Sequence, residues 1–170
     1  MNLQKNLALF TALLIPVVFD GGLIADSFET NSEVLITKEE KKELGLDDID
    51  RLIDEVEKAE GDSNYQKAIE ILEKILVIEQ RELGPEHQDV ADTLNWIGDV
   101  YSEQDENSEA EPFYLRALAI QEKVLGPEHL ELVKTLNNLA SIHRERRFYA
   151  KAEPLILRAL AIEEKVLGPQ

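Results

Sequence analysis

The three histidines are the residues of this 170-residue chain best suited to metal binding or to acid–base catalysis. His87 and His129 lie 42 residues apart in the same segment, Leu-Gly-Pro-Glu-His, so they are one structural feature that occurs twice. His143 falls on the apolar side of a predicted helix, where a buried imidazole is the ordinary explanation. Since no His-x-x-x-His or Glu-x-x-His pair is present, the sequence predicts no zinc site.

Other catalytic chemistry finds equally little support in the sequence. The acidic stretches, such as Asp47-Asp48, lack the spacing and the central glycine of a calcium loop. The chain has no glycine-rich phosphate loop and no cysteine, which excludes thiolate chemistry and cysteine-ligated zinc. We therefore predict a protein that is not an enzyme and that needs no cofactor and no metal.

A polar stripe that recurs at helical spacing is better suited to binding a protein or a peptide. On a helical wheel, residues 89–104 and 131–145 each place polar side chains on the face opposite their apolar residues. An asparagine amide can donate and accept, so Asn95 and Asn137 could bracket a peptide group of an extended ligand. A solvated helix face is the alternative at each position. The candidate binding residues are Asp92, Asn95, Trp96, Asp99, Lys134, Asn137, Asn138 and Ser141.

Trp96 is the least ordinary member of this stripe. It lies between Asp92 and Asp99, whereas the corresponding residue 42 positions later is Asn138. Tryptophan at an exposed position often makes a large contribution to an interface, which favours a binding role. The alternative is that Trp96 is ordinary core beneath the first pair of helices.

Charge limits the kinds of partner. The chain has 35 acidic and 18 basic residues, a net charge of −17, so it should repel nucleic acid and anionic lipid. Residues 1–124 hold 29 acidic and 11 basic side chains, whereas residues 125–170 hold 6 acidic and 7 basic side chains. This gradient could orient a ligand with one basic and one acidic end, although a solvated surface explains it equally well.

Residues 1–25 have the features of a signal peptide. Lys5 precedes an apolar run over residues 7–19, which is short for a membrane span and suitable for a signal-peptide core. We therefore expect an exported protein whose mature chain begins near Asp26. The alternatives are an uncleaved membrane anchor and a cytoplasmic protein.

Residues 26–46 are predicted to form a linker with a short helix, which a capping box at Thr37 begins and Gly45 ends.

The remainder of the chain repeats with a period of 42 residues, the same spacing that separates His87 from His129. Apolar positions within the repeat recur every three or four residues, and no alternating β-branched run competes with them, so the repeat is helical. We predict an all-α fold of about three helix pairs, in units over residues 47–82, 83–124 and 125–167. The positions that keep the period include Ala68, Ala110 and Ala152, Leu76, Leu118 and Leu160, and Ile78, Ile120 and Ile162.

Each unit divides into two helices at recognisable ends. A capping box at Ser108 and a proline in about the first turn, Pro112, mark the start of a second helix. Gly126 is expected to take a positive φ at a helix C-cap, with Lys123 in the last turn. The predicted helices cover residues 47–60, 65–81, 89–104, 108–124, 131–145 and 149–166.

The pattern Ala91, Leu94, Ile97-Gly98, Tyr101, Ala110, Tyr114, Ala117 resembles the tetratricopeptide repeat. The 42-residue period and the Leu-Gly-Pro-Glu-His link are similar to the variant of kinesin light chains and of many bacterial repeat proteins. The resemblance implies a right-handed solenoid of helical hairpins. It also implies that the first helix of each unit lines a concave groove, which would place the polar stripe there.

The function that follows from this resemblance is a scaffold that binds a protein or a peptide in the groove. A structural role is the alternative, in which the chain oligomerises or forms part of a larger tetratricopeptide assembly. The chain given ends at Gln170 on a repeat link without a polar capping helix, which predicts either a longer gene product or self-association through the last repeat.

Overall fold

The computed structural model of this protein describes residues 44–168, and every element in that range is helical. The predicted signal peptide and most of the predicted linker helix lie outside the described residues. After a short 3-10 helix, Leu46–Asp48, six α-helices follow in chain order. They are α1 (Ile49–Gly61), α2 (Tyr65–Glu82), α3 (Gln88–Glu103), α4 (Asn107–Leu125), α5 (Leu132–Glu145) and α6 (Tyr149–Leu167).

The six helices form three hairpins that stack in chain order. Each helix packs against the helices before and after it, and α3 also contacts α5 across the boundary between two units. The predicted all-α solenoid of three helix pairs is therefore confirmed. Among the described helices, none is long and apolar enough to cross a membrane.

The apolar positions of the repeat form the core. The largest cluster runs through all three hairpins and includes Leu72, Ile97, Tyr114 and Leu136, each 2 % exposed or less. A smaller cluster joins Val90, Ala91 and Leu94 of α3 to Ala117 and Ile120 of α4. Because neighbouring hairpins meet through apolar flanks, stacking them buries a core that no single hairpin could form.

The links between units end their helices as the sequence predicts. Gly126 has a φ of 93° and its N–H donates to the carbonyl of Glu122 at 3.1 Å. Gly84 and Gly168 take the same conformation, with φ of 95° and 83°. Lys123 in the last turn of α4 forms an ion pair with Glu86 of the preceding link.

The turn inside each hairpin corrects one prediction. Asp105 has a φ of 60°, and the N–H of Glu106 closes the turn by donating to the carbonyl of Tyr101 at 3.0 Å. Helix α4 therefore begins at Asn107 with no side-chain cap, and the capping box at Ser108 is wrong. Pro112 lies in the second turn of the helix instead of the first. Ser63 and Arg147, at the equivalent positions of the first and third hairpins, repeat the positive φ.

Candidate protein-binding groove

The polar faces of α3 and α5 meet at an open recess of about 300 Å³. Both helices are the first of their hairpins, so the recess lies on the surface where the sequence predicts a groove. We call this recess the interhelix recess. It is lined by Asp92, Asn95, Gln121, Leu130, Glu131 and Lys134.

The interhelix recess is acidic on one side. The side-chain amide of Gln88 donates to Asp92 at 3.1 Å and to Glu131 at 3.2 Å, so it holds the two carboxylates close together. Partial removal from water raises the pKa of Asp92, and the charges of Glu131 and Asp89 raise it further. The site therefore gathers negative charge that a cation would stabilise.

Asp99 organises the surface beside the recess. Its Oδ1 accepts hydrogen bonds from Tyr114 Oη at 2.8 Å and from Asn138 Nδ2 at 2.7 Å. Its Oδ2 accepts from Lys134 Nζ at 2.9 Å. The carboxylate thus connects α3, α4 and α5, and it forms an ion pair with Lys134, the cation among the residues that line the recess.

Asn95 lies between the helices and not on the open surface. It is 4 % exposed, and its Nδ2 donates to Thr135 Oγ1 of α5 at 2.9 Å. The Thr135 hydroxyl in turn donates to Gln121 Oε1 at 2.8 Å, which completes a buried polar triad. Because α5 covers it, Asn95 is not available to bracket a ligand in the way the helical wheel suggested. Asn137, its counterpart in the next unit, is exposed.

Trp96 is attached to the first hairpin. Its ring packs partly buried against the main core, and its Nε1 donates to Glu60 Oε1 of α1 at 2.7 Å. Burial raises the pKa of Glu60, and nearby carboxylates add to the effect, although the hydrogen bond from Trp96 opposes it. The arrangement matches the alternative considered for Trp96 more closely than a free interface anchor.

The other predicted residues remain on the surface. Ser141 is half-buried and its hydroxyl donates to Glu145 Oε1 at 3.2 Å. Asp92, Lys134 and Asn137 are exposed. The structure therefore brings Asp92 and Lys134 together at the interhelix recess and leaves Asn137 further along α5.

Four of the residues around the recess were missed by the sequence analysis. Gln88, Leu130 and Glu131 lie at the ends of α3 and α5, beside the repeated link, and Gln121 comes from the second helix of its unit. A wheel drawn for one helix cannot find residues that a neighbouring helix or link supplies. The signal that could have found Glu131 is its position just after His129, at the end of the repeated link.

The histidines have structural positions. Nδ1 of His87 accepts from the N–H of Asp89 at 3.3 Å at the start of α3, and Nδ1 of His129 accepts from the N–H of Glu131 at 3.3 Å before α5. His143 is 5 % exposed, and burial lowers its pKa despite the Glu111 carboxylate nearby. Within residues 44–168, no three His, Asp or Glu side chains come together in a way that could hold a metal ion.

Comparison with known proteins identifies the family. The family model of the tetratricopeptide repeat matches residues 59–123 and again residues 89–165, which together cover more than half of the chain. The chain belongs to the tetratricopeptide repeat family, whose repeats generally mediate protein–protein interactions. A search of curated proteins finds no match.

Two solved structures share the fold. BtubC (BKLC) from P. vanneervenii has a TM-score of 0.60 and 22% identity, over 65% of this chain and 44% of that one. A kinesin light chain-type protein of Podospora anserina with nearly identical TPR-like repeats has a TM-score of 0.60 and 22% identity, over 69% of this chain and 56% of that one. This chain thus spans about half the length of the structures it matches. The similarity confirms the fold.

Proposed function

We propose that this chain is a protein-interaction module that binds a segment of a partner protein at the interhelix recess. The observation that carries the proposal is an open recess between two first helices, in which the carboxylates of Asp92 and Glu131 lie close together. Tetratricopeptide repeats generally mediate protein interactions, which supports the choice of a protein as ligand.

The charge of the recess favours a basic side chain in the ligand. Asp92 and Glu131 share the Gln88 amide. Lys134 is paired with Asp99 at 2.9 Å, and its charge lowers the pKa of Asp92 without cancelling the rise that burial and the neighbouring carboxylates cause. A lysine or arginine head group would bind between the two carboxylates. Its aliphatic stem would pack on Leu130, which is 39% exposed at the rim.

A selection of random peptides displayed on phage tests this proposal without knowledge of the natural partner. We expect the selected peptides to be enriched in lysine or arginine at one position. Asp92→Asn should then weaken their binding about three- to tenfold, because a charge-assisted hydrogen bond contributes about 1 kcal/mol or somewhat more. The affinity should also fall with added salt.

Glu109→Gln is the matched control, since Glu109 is an exposed carboxylate on α4, away from the recess. It removes the same charge and should leave the affinity unchanged. Equal loss with Asp92→Asn and Glu109→Gln would indicate a general effect of net charge. Selected peptides without basic residues would contradict the assignment of the recess.

We also propose that the protein is exported through the segment 1–25. The proposal is supported by the apolar run over residues 7–19 after Lys5, because a run of this length suits the core of a signal peptide. N-terminal sequencing of protein recovered from its natural host should find a chain that begins near Asp26. A chain that still begins with Met1 in a soluble cytoplasmic fraction would contradict export.

A further inference from the structure

The turn of the third hairpin differs in charge from the same turn in the other two hairpins. Residues 143–151, which span the end of α5 and the start of α6, contain four basic side chains and one acidic side chain. The equivalent residues 101–109 contain four acidic side chains and no basic one, and residues 59–67 contain two acidic side chains and one basic. In a chain with a net charge of −17, positive charge is thus concentrated at one turn of the array.

Phe148 is the exposed aromatic residue around which these cations gather. The Arg146 guanidinium lies over its ring, 4.9 Å from the ring centre, and Lys151 Nζ lies 5.5 Å from the same point. The ring is nevertheless 43% exposed. It therefore positions two cations through their attraction to its π-system and still offers apolar surface. We call Arg144, Arg146, Arg147, Phe148 and Lys151 the basic edge.

Most of the positive charge of the basic edge is unpaired. Arg146 forms an ion pair with Glu111 of α4. The other three cations are exposed, and none of them forms an ion pair with a residue in the range 44–168; they are Arg144, Arg147 and Lys151. Like charges at this spacing repel each other, so an anion that binds among them is stabilised.

The fold does not require basic or aromatic residues in this turn. Arg147 has a φ of 61°, and Asp105 takes the same conformation in the second hairpin, with a φ of 60°. The N–H of Phe148 closes the third turn, and the N–H of Glu106 closes the second. The backbone of the turn is therefore compatible with acidic side chains, and the composition of the basic edge has another cause.

The exposure of the basic edge does not depend on where the sequence stops. Its counterparts in the second hairpin are Asp105 for Arg147, Glu106 for Phe148 and Glu109 for Lys151. All three counterparts are exposed although another hairpin follows them. These positions face away from the neighbouring hairpin, so the basic edge is a lateral surface of the array.

We propose that the basic edge binds a short acidic segment of a partner protein. Aspartate or glutamate side chains of that segment pair with Arg144, Arg147 and Lys151, and an apolar side chain packs on Phe148. The four carboxylates of the neighbouring turn limit the ligand to a short segment, because a long polyanion or an anionic membrane would also meet them. The basic edge lies at the end of α5, whereas the interhelix recess lies at its start, and the proposal does not depend on the function proposed for the recess.

A rhodamine-labelled peptide with two glutamates on each side of one leucine tests the proposal by fluorescence anisotropy. The second hairpin supplies substitutions that the turn accepts, Arg147→Asp and Lys151→Glu. Each should weaken binding about three- to tenfold, because an attraction becomes a repulsion. Lys67→Glu is the matched control, since Lys67 is the exposed lysine at the equivalent position of the first hairpin. It makes the same change in net charge and should alter the affinity less than about twofold.

A second peptide, with serine in place of the leucine, tests the apolar contact. Phe148→Ser should weaken binding of the leucine peptide about threefold or more and leave binding of the serine peptide nearly unchanged. Circular dichroism shows whether this variant is folded. Asp92→Asn should leave the affinity for both peptides unchanged, which separates this surface from the interhelix recess.

Four results would overturn the proposal. The first is that the wild type does not bind the leucine peptide, and the second is that Lys67→Glu weakens binding as much as Lys151→Glu. The third is that vesicles containing phosphatidylserine displace the peptide, which would assign the basic edge to a membrane. The fourth is that the wild type sediments as a dimer that Arg147→Asp dissociates, which would assign it to a second copy of this chain.

Discussion

The phenol of Tyr114 and the carboxylate of Asp99 form a 2.8 Å hydrogen bond that joins the interior of the second hairpin to its polar surface. The ring of Tyr114 is 1 % exposed and passes directly beside Gly98. Burial and the Asp99 charge both raise the pKa of Tyr114, so the hydroxyl remains a donor. This contact fixes Asp99, which in turn holds Lys134 and Asn138 of the next unit in place.

The close approach of Gly98 to Tyr114 predicts that Gly98→Ala is destabilising. An added Cβ would lie 2.7 Å from Tyr114 Cε1, and the buried ring has little room to move. We expect a loss of roughly 1–3 kcal/mol in the free energy of unfolding, measured by urea denaturation. The third unit has Ala140 and Ile156 at these positions, so Tyr114→Ile combined with Gly98→Ala should recover part of the loss. An unchanged stability in Gly98→Ala would show that the helices are further apart.

Glu79 predicts a stability that depends on pH. The residue is 5 % exposed, and burial raises its pKa from 4.5 to about 7, with the nearby charges of Asp89 and Asp92 adding to the effect. The folded state therefore holds this proton more tightly than the unfolded state does. The resulting stability is present below about pH 4.5 and is lost as the pH rises through 7.

Glu79→Gln removes the titrating group and keeps the size of the side chain. The next unit already has a glutamine at this position, Gln121. At pH 8 the variant should be more stable than the wild type by on the order of 2 kcal/mol, and at pH 5 the difference should be much smaller. Urea denaturation of both proteins at the two pH values measures it. A difference that is the same at both pH values would mean that Glu79 is ionised throughout.

The conformation of Gly126 in the repeat link predicts that a side chain at this position lowers the stability of the fold. Gly126 has a φ of 93° with open space around its Cα, so the penalty of a side chain comes from the backbone alone. Gly126→Val should lower the free energy of unfolding by about 1 kcal/mol or somewhat more. Glu163→Gln serves as the control and should change the free energy of unfolding very little. Equal melting temperatures for wild type and Gly126→Val would place the helix end elsewhere.

Trp96 and Asn137 should differ in their effect on stability, although both belong to the predicted polar stripe. Trp96→Ala removes a ring that packs on the core and its hydrogen bond to Glu60, so we expect a loss of about 2 kcal/mol. Asn137→Ala should stay within about 0.5 kcal/mol of the wild type. Leu136→Ala, at a fully buried position, should cost roughly 2–5 kcal/mol. Circular dichroism melts rank the three variants, and a Trp96→Ala variant as stable as wild type would restore its role as a free anchor.

The architecture could be predicted because the repeat determines it. A fixed period, apolar residues every three or four positions, and Gly-Pro links place each described helix within two residues of its observed ends. The turn inside each hairpin was harder to predict from the sequence. Ser63, Asp105 and Arg147 all adopt a positive φ without being glycine, because the surrounding hairpin imposes it. Sequence signals for helix starts therefore pointed to Ser108, which lies inside α4.

The candidate site was only partly predictable, since it depends on contacts between units. A helical wheel describes one helix and cannot show that α5 covers Asn95 or that Trp96 reaches Glu60 of the first hairpin. Asn95 and Asn137 occupy the same position of the repeat, and yet one is 4 % exposed and the other lies on the surface. The difference arises from the presence of a following hairpin at one boundary among the described residues.

Photo-crosslinking from the rim of the interhelix recess tests the central claim most directly. A benzophenone amino acid in place of Leu130 preserves the charges of the recess, and the same group in place of Glu109 is the control on α4. In extracts of the natural host, we expect the probe at position 130 to capture a partner protein that the control does not, with less product when Asp92→Asn is added. If both probes capture the same proteins, or if Asp92→Asn leaves the product from position 130 unchanged, the recess is not where this module binds its partner.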